Sequence, residues 1–180
     1  MTNQNLADVI IDELERFAFK ALQQQTVSAV LLALGSNSAA DRYLPLMRHR
    51  LKKLGDIKLS SAFQNPDFTA TKEQPKPDYT NQCVYLRLKK PVTLSELQRL
   101  FRTFEAECGR ARFTDVQPSI RLVTMDIDIL LIETAWDRNS LSNFIESKWI
   151  IIADRYPFKA HEITGINELA FKVFEKSLND

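Results

Sequence analysis

The chain of 180 residues contains only four glycines and two cysteines, and its net charge is only +1. Two cysteines are too few for the disulfide framework of a small secreted domain, so we expect both to be buried thiols in a reducing compartment. A net charge near zero excludes a general attraction to nucleic acid and an acidic disordered tail. No apolar run is long enough to span a membrane, and acids interrupt the first apolar residues. These absences predict a soluble, cytoplasmic protein that binds neither nucleic acid nor membranes.

The most informative stretch of the sequence is an apolar segment with two acids at its start. Residues 125–132 read MDIDILLI, which predicts a buried strand whose first residues emerge at one end of a sheet. Asp126 and Asp128 are two residues apart, so on a strand they share a face and lie about 7 Å apart. Such a pair can hold one or two magnesium ions, with phosphate oxygens completing the coordination. Three arginines precede the strand, namely Arg110, Arg112 and Arg121.

The acids and arginines together suggest a site for a metal and a polyphosphate. The alternative is a half-exposed edge strand beside a solvated basic loop, because an aspartate pair in a strand is a weak motif by itself. Gly35 ends the apolar run at 29–34 and begins the triplet Gly-Ser-Asn, which indicates either a sharp turn or a close approach by a ligand.

Apolar periodicity predicts the other elements of the chain. They are a helix over residues 5–24, a strand over 29–34, a helix over 40–54, strands over 57–63 and 81–89, and a helix from a capping box at 93–96 to about 109. With the acid-bearing strand, this order predicts an α/β fold of the α+β kind with a ferredoxin-like βαββαβ core. A further strand at 149–153 and a helix at 166–178 would place helices on both sheet faces.

The first 26 residues are predicted to be an N-terminal helical extension, followed by one domain over residues 27–180. The extension has apolar residues at spacings of three and four, as in a surface amphipathic helix. It either docks on the domain or pairs with a second copy, which leaves open a monomer or a dimer formed through this helix. A long loop with three prolines is predicted over residues 64–80.

Four sequence pieces resemble the 6-hydroxymethyl-7,8-dihydropterin pyrophosphokinase family. They are LALGSN at 32–37, PDYTNQ at 77–82, an E-x-x-x-G-R-x-R run at 105–112 and TMDIDILL at 124–131. They stand in the family's order and at nearly its spacing, and the likeness covers roughly residues 27–170. It implies a ferredoxin-like enzyme of folate biosynthesis that moves pyrophosphate from ATP to a hydroxymethyl-dihydropterin and releases AMP.

The resemblance also implies roles for particular residues. Asp126 and Asp128 match the aspartates that bind two Mg²⁺ ions, and we expect Arg110 and Arg121 to act with them in catalysis. The positions implied to contact ATP are Arg110, Arg112, Arg155, Lys159 and His161. The positions implied to contact the pterin are Asn65, Pro66, Tyr79, Asn81, Phe113 and Ile163.

The chain departs from the family pattern around both substrates. Val123 stands where the family has an arginine, three residues before the first aspartate. The tryptophan that covers the pterin is absent, and Phe113 is the nearest aromatic residue. Three further positions differ: Arg155 replaces a histidine, His161 an arginine and Ile163 a stacking phenylalanine. Nearby cations keep positive charge around ATP, whereas each lost aromatic contact costs about 1 kcal/mol of pterin binding.

Three functions are compatible with these patterns. The first is an active pyrophosphokinase. The second is a catalytically impaired paralogue that binds a nucleotide or a pterin, which the altered positions favour. The third is a ferredoxin-like RNA- or ligand-binding module, since one fold hosts many functions. The magnesium interpretation requires that both aspartates face the pocket bounded by Asn81 and are not buried in separate ion pairs.

Overall fold

The computed structural model describes residues 11–66, 70–73, 75–110, 122–134 and 148–174, with side chains in the last range described as far as Leu169. The strands are β1 Glu15–Phe17, β2 Thr26–Ser36, β3 Gly55–Asn65, β4 Tyr79–Thr93, β5 Asp126–Thr134 and β6 Trp149–Ile152. The helices are α1 Phe19–Leu22, α2 Ala40–Leu54, α3 Leu94–Glu107 and α4 Ala160–Phe174, and a 3-10 helix spans Ala153–Arg155.

The strands form one sheet in the order β1-β6-β5-β2-β4-β3. Strand β2 lies between β4 and β5 and is antiparallel to both, and β3 is antiparallel to β4. The predicted order of strand, helix, strand, strand, helix, strand is found as β2-α2-β3-β4-α3-β5. The α+β class predicted from the sequence is therefore confirmed.

Helices α2 and α3 cover one face of the sheet. In α2, Leu44, Met47 and Leu51 recur at spacings of three and four, and all are at most 3% exposed. Burial of each such side chain stabilises the fold by about 1.5–3 kcal/mol. At the start of α3, the Thr93 hydroxyl accepts a hydrogen bond from the Glu96 N–H, and the Glu96 side chain accepts one from the Thr93 N–H. The predicted helix over 40–54 and the predicted capping box are both confirmed.

Helix α4 covers the other face and packs closely on β4. A Cβ atom placed on Gly165 would lie only 2.5 Å from Cys83 Sγ, so only a glycine lets the helix approach the strand this closely. Ile166 and Leu169 are buried against the same face. Both cysteines are free and buried, as predicted. Helices therefore cover both faces of the sheet, and among the described residues none is long and apolar enough to cross a membrane.

The predicted continuous helix over residues 5–24 is wrong. Residues 11–13 are helical, but Glu15–Phe17 form an edge strand that pairs in parallel with β6, and α1 has only four residues. The apolar spacing fits a helix, but the free edge of β6 offers backbone partners that only the folded sheet supplies. Ile11 is 7% exposed in the core beneath α4, so this part of the segment docks on its own domain. A dimer formed through the segment stays a prediction.

The last helix begins six residues before its predicted start at 166. Its first turn is polar, which hides it from apolar periodicity, and it is held by the buried Glu162, whose Oε2 accepts a hydrogen bond from the Lys159 N–H at 2.8 Å. A glutamate that returns to the backbone just before a helix stabilises the first turn. Residues 175–178 of the prediction lie outside the described residues.

Candidate active site

The two aspartates lie at the start of β5, on the sheet face that α4 covers. Asp126 pairs in register with Gly35 and Asp128 with Ala33. Because directly opposed residues of an antiparallel pair share a face, both carboxylates point to the same side, as their spacing predicts. Their side chains are 36% and 32% exposed, so a ligand can reach them.

A row of three residues crosses the sheet at this end. Gly35 pairs with Asn81 of β4 on one side and with Asp126 of β5 on the other. A Cβ atom at Gly35 would stand 3.0 Å from Asn81 Oδ1 and 3.9 Å from Tyr79 Cδ1. The glycine therefore leaves room for the Asn81 side chain, and Asn81, Tyr79 and Asp126 share the face on which a substrate would lie.

Asn65 completes the β4 side of this site. It pairs in register with Tyr79 at the end of β3, and Pro66 follows it directly. The Asn65 amide nitrogen is buried and has no hydrogen-bond partner within the described ranges. An unpaired buried donor costs about 1–3 kcal/mol, which a ligand carbonyl or ring nitrogen would recover.

The triplet that begins at Gly35 holds the chain entering β5. The Asn37 N–H donates to the Val123 carbonyl at 2.9 Å, and Asn37 Oδ1 accepts a hydrogen bond from the Val123 N–H at 2.6 Å. Val123 is only 2% exposed, so the apolar residue at this position packs inside the protein. The turn acts structurally, by fixing the approach to Asp126.

Glu105 fixes the same strand from α3. Its side chain is 3% exposed, and Oε1 accepts a hydrogen bond from the Ile127 N–H at 2.8 Å. The helix ends at Glu107, and Gly109 two residues later has a φ of 76°, which suits glycine. Its last turn is closed by the Gly109 N–H donating to Ala106 and by the Arg110 N–H donating to the Glu105 carbonyl at 3.0 Å, the Schellman pattern. Glu105 therefore sets the positions of both Arg110 and Ile127.

Arg110 points at the first aspartate. Its Nη2 lies 3.6 Å from Asp126 Oδ1, and its side chain is only 4% exposed. The Nε and Nη1 groups are buried without a partner among the residues that the structure describes. A buried guanidinium with spare donors is a binding point for a further anion, because phosphate accepts two parallel N–H groups.

Arg155 pairs with the second aspartate. Its Nη2 lies 2.8 Å from Asp128 Oδ2 and 3.2 Å from Glu162 Oε1. Glu162 is 2% exposed and is satisfied by Arg155 and by the Lys159 N–H. Each aspartate is thus in its own ion pair, but each side chain stays about a third exposed, and Asp126 lies beside Asn81 across Gly35. Both acids lie on the sheet face that carries Asn81, and an arginine contacts each of them.

Burial raises the pKa of Asp128 to about 6. The charge of Asp126 also raises it, and the Arg155 guanidinium opposes this. Two carboxylates on one face repel each other, and a cation between them would relieve that repulsion. No group of three or more His, Cys, Asp or Glu side chains suited to a metal occurs in the described part of the chain. Two carboxylates nevertheless fit Mg²⁺, which commonly takes one or two from a protein and the rest of its oxygens from phosphate and water.

Of the other predicted ATP-site and pterin-site residues, three lie in or directly before the first turn of α4 and three lie outside the described residues. Lys159 is exposed and His161 half-buried at the start of α4, where burial lowers the pKa of the imidazole. Ile163 is 37% exposed, whereas Glu162 and Ile166 beside it face the sheet. Ile163 is therefore partly accessible at the surface of α4, and its contact with a pterin stays a prediction. Three predicted positions lie outside the described residues, namely Arg112, Phe113 and Arg121.

Sequence reasoning assigned no role to two buried glutamates of the site, Glu105 and Glu162. The signal for Glu105 was present, because it stands four residues before the helix-ending glycine within the quoted arginine motif. Glu162 had no such signal, since the residue directly before its helix, Lys159, is not one of the usual capping residues serine, threonine or aspartate.

An aspartate pair flanked by arginines, at one end of an α+β sheet, has the charges that suit an enzyme acting on phosphate groups with a divalent metal. The family model of 7,8-dihydro-6-hydroxymethylpterin-pyrophosphokinase (HPPK) matches residues 31–155. The match spans more than half of the chain, which therefore belongs to this family of pterin pyrophosphokinases of folate biosynthesis. Comparison with curated proteins gives no match.

Proposed function

We propose that the protein transfers pyrophosphate from ATP to 6-hydroxymethyl-7,8-dihydropterin and releases AMP. The observation that carries this proposal is the shared face of Asp126, Asp128 and Asn81, with Arg110 and Arg155 on the two acids. The family match supports it independently, because it covers all of these residues. It favours an enzyme over a ferredoxin-like RNA- or ligand-binding module.

Asp126 and Asp128 would hold Mg²⁺, one or two ions, through partly exposed carboxylates. When bound, the metal neutralises phosphate charge and orients the phosphate oxygens. The two ion pairs preorganise the carboxylates, and the arginines exchange part of that contact for contact with phosphate. Arg110 is best suited to this exchange, because two of its donor groups are unpaired within the described residues.

The pterin would lie on the β4 side of the site. Asn81 offers a carbonyl and an amide that match the alternating donors and acceptors of a pterin edge. Asn65 Nδ2, which has no partner among the described residues, would supply a further donor, and Tyr79 lies between the two asparagines along the strand pairing. In this arrangement the hydroxymethyl group would point toward Asp126, which pairs with Gly35 on the side away from Asn81.

The reaction joins the hydroxymethyl oxygen to the β-phosphorus and breaks the bond from that phosphorus to the AMP oxygen. The alcohol proton leaves to solvent, and AMP departs as an anion beside the arginines. Positioning and charge neutralisation supply most of the rate, as is usual for phosphoryl transfer. The residues of this chain contribute by fixing both substrates on one rigid sheet end.

Incubation with ATP, Mg²⁺ and 6-hydroxymethyl-7,8-dihydropterin tests the proposal, with AMP as the measured product. We expect AMP only when the pterin is present, and none from Asp126→Ala. The matched control is Asp56→Ala, an exposed aspartate on β3 opposite Arg87, at the other end of the sheet. Equal AMP formation by Asp126→Ala and the unaltered protein would contradict the proposed site.

A catalytically impaired relative is the second candidate, favoured by the aliphatic, partly exposed Ile163 and by the buried Val123. It would bind Mg²⁺ and ATP, measured by calorimetry, without forming AMP in the presence of the pterin. That outcome would retain the phosphate-binding half of the proposal and refute the transfer reaction.

A further inference from the structure

The N-terminal segment contacts the corner of the chain that carries Arg155. Strand β1 pairs in parallel with β6, and Phe17 lies opposite Ile152, directly before the 3-10 helix Ala153–Arg155. The family match begins only at residue 31 and ends at residue 155. The contact therefore joins a segment outside the match to the end of the matched range.

The segment holds the neighbours of Arg155 on both sides. The Phe19 N–H donates to Asp154 Oδ2 at 2.5 Å, and the Arg16 guanidinium carbon lies 4.0 Å from the centre of the Tyr156 ring. Both contacts join residues that are far apart in the sequence, and the two residues of the hydrogen bond are 135 positions apart. Residues 154 and 156 are thus fixed toward the segment.

Arg155 itself points the other way, into the site. It bridges Asp128 at 2.8 Å and Glu162 at 3.2 Å, and its Nε is buried without a partner among the described residues. The Arg155 side chain has several rotatable bonds, so the position of its guanidinium group depends on how firmly the backbone of residues 154–156 is held. In the described part of the chain, Asp154 is held by the Phe19 N–H. The Tyr156 ring packs on Arg16 and also edge-on against the buried Phe158, with 5.6 Å between the ring centres.

We propose that the N-terminal segment, residues 11–19, is a brace that positions Arg155, and that Asp154 and Arg16 are its positioning residues. The inference rests on the proposed function, in which Arg155 contacts the nucleotide phosphates. Asp154 and Arg16 do not touch the aspartate pair, so they act through Arg155 alone. The segment then has a role in substrate binding although it lies outside the family match.

The brace is tested first without any substrate, by the rate at which the Arg155 Nε–H exchanges with solvent in NMR spectra of the full chain. Loss of one charge-assisted hydrogen bond in Asp154→Ala is expected to speed this exchange about fivefold. Asp154→Asn keeps an oxygen acceptor for the Phe19 N–H and is expected to restore most of the protection. The Arg155 Nε–H resonance is identified by its absence from the spectrum of Arg155→Lys.

The matched control is Glu15→Ala, which removes an exposed ion pair with Lys148, 2.6 Å long, from the same segment without touching residues 154–156. We expect the exchange rate of Arg155 to be unchanged in this variant. Unchanged exchange in Asp154→Ala, or an equal increase in Glu15→Ala, would overturn the brace.

A double-mutant measurement then connects the brace to the nucleotide. In the unaltered background, Asp154→Ala is expected to raise the KM for ATP about fivefold and leave kcat unchanged. In the Arg155→Ala background the same substitution is expected to have no further effect. An equal loss in both backgrounds would show that Asp154 does not act through Arg155. If Arg155→Ala leaves ATP binding unchanged, the nucleotide role of Arg155 fails, and the exchange rates alone decide the brace.

Discussion

The two ends of β5 both carry acids paired with arginines, but they differ in how completely the polar groups are satisfied. At the far end, Glu133 is 5% exposed, accepts a hydrogen bond from Ser28 Oγ at 3.0 Å and pairs with Arg87 Nη2 at 3.0 Å. The Arg87 Nε in turn donates to the Tyr85 hydroxyl at 2.8 Å. This end forms a closed network.

The near end is open by comparison. Asp126 and Asp128 are each about a third exposed, and their arginines keep buried N–H groups that have no partner among the described residues. Unpaired donors beside accessible carboxylates are costly to stability unless a ligand completes them. The comparison teaches that an acid–arginine pair indicates a binding site when its donors are left unpaired, and a structural tie when they are paired.

The largest difference between the two ends should appear in catalysis. Asp126→Asn removes a charge on which the proposed metal binding would depend and is expected to lower kcat about 1000-fold. Glu133→Gln keeps the size of the side chain at the closed end and is expected to change kcat less than about threefold. Steady-state formation of AMP measures both, and similar losses in the two variants would remove the functional distinction between the ends.

Arg110 and Arg87 should differ in their effect on nucleotide affinity, by a smaller factor than the difference in kcat. Arg110→Ala removes a buried cation with spare donors and is expected to weaken ATP binding about thirtyfold. Arg87→Ala, the matched change at the closed end, is expected to leave the affinity unchanged. Isothermal titration with Mg²⁺-ATP decides this, and equal affinities of the two variants would argue against a phosphate role for Arg110.

Stability should show the reverse order. Glu133→Ala leaves Arg87 Nη2 without its carboxylate partner and leaves Ser28 Oγ only the backbone carbonyl of residue 133 as its described acceptor, and it is expected to lower the free energy of unfolding by about 1.5 kcal/mol. Asp126→Asn, at a partly exposed site, is expected to change it by less than about 0.5 kcal/mol. Urea unfolding compares them. A larger loss from Asp126→Asn would mean that the open end is the structural tie.

The smallest effect concerns pH. The pKa of Asp128 is raised to about 6 from an ordinary value of 3.8, so the folded protein binds this proton more tightly than the unfolded chain does. That contribution to stability is fully present below pH 3.8 and is lost as the pH rises through about 6. Asp128→Asn cannot ionise, so it avoids this loss of stability. We expect it to be more stable than the unaltered protein by about 1 kcal/mol at pH 7, after allowance for partial exposure.

The measurement is urea unfolding of both proteins between pH 4 and pH 7. The difference in unfolding free energy should grow across this window, because only the unaltered protein must ionise Asp128 beside Asp126. If the unfolding free energies of the two proteins changed in parallel with pH, the Asp128 carboxyl group would have an ordinary pKa, and repulsion between the two aspartates would not lower stability.

Local patterns predicted the parts of the protein whose neighbours in space are also near in sequence. The spacing of Leu44, Met47 and Leu51 predicted helix α2 with its observed bounds, and the Thr93–Glu96 pair predicted the start of α3. The face shared by Asp126 and Asp128 followed from the strand period. The metal and nucleotide roles of these residues stay predictions until the experiments above are made.

Long-range contacts were not predictable in the same way. Strand β1 exists because β6 offers a free edge, and nothing in Glu15–Phe17 distinguishes it from the helix that the apolar spacing favours. Glu162 and Glu105 act on residues brought to them by the fold, namely Arg155 and Ile127. Such partners depend on the packing of whole elements, so no window of sequence contains them.

The sequence by itself determined the α+β class, the family and the carriers of the proposed chemistry, because periodicity and short motifs encode backbone conformation and residue type. Only the tertiary structure decided which arginine meets which aspartate, which end of β5 stays open and where the N-terminal segment lies. The physical reason is that hydrogen bonds and ion pairs are settled by distances of a few ångströms between residues as many as 135 positions apart.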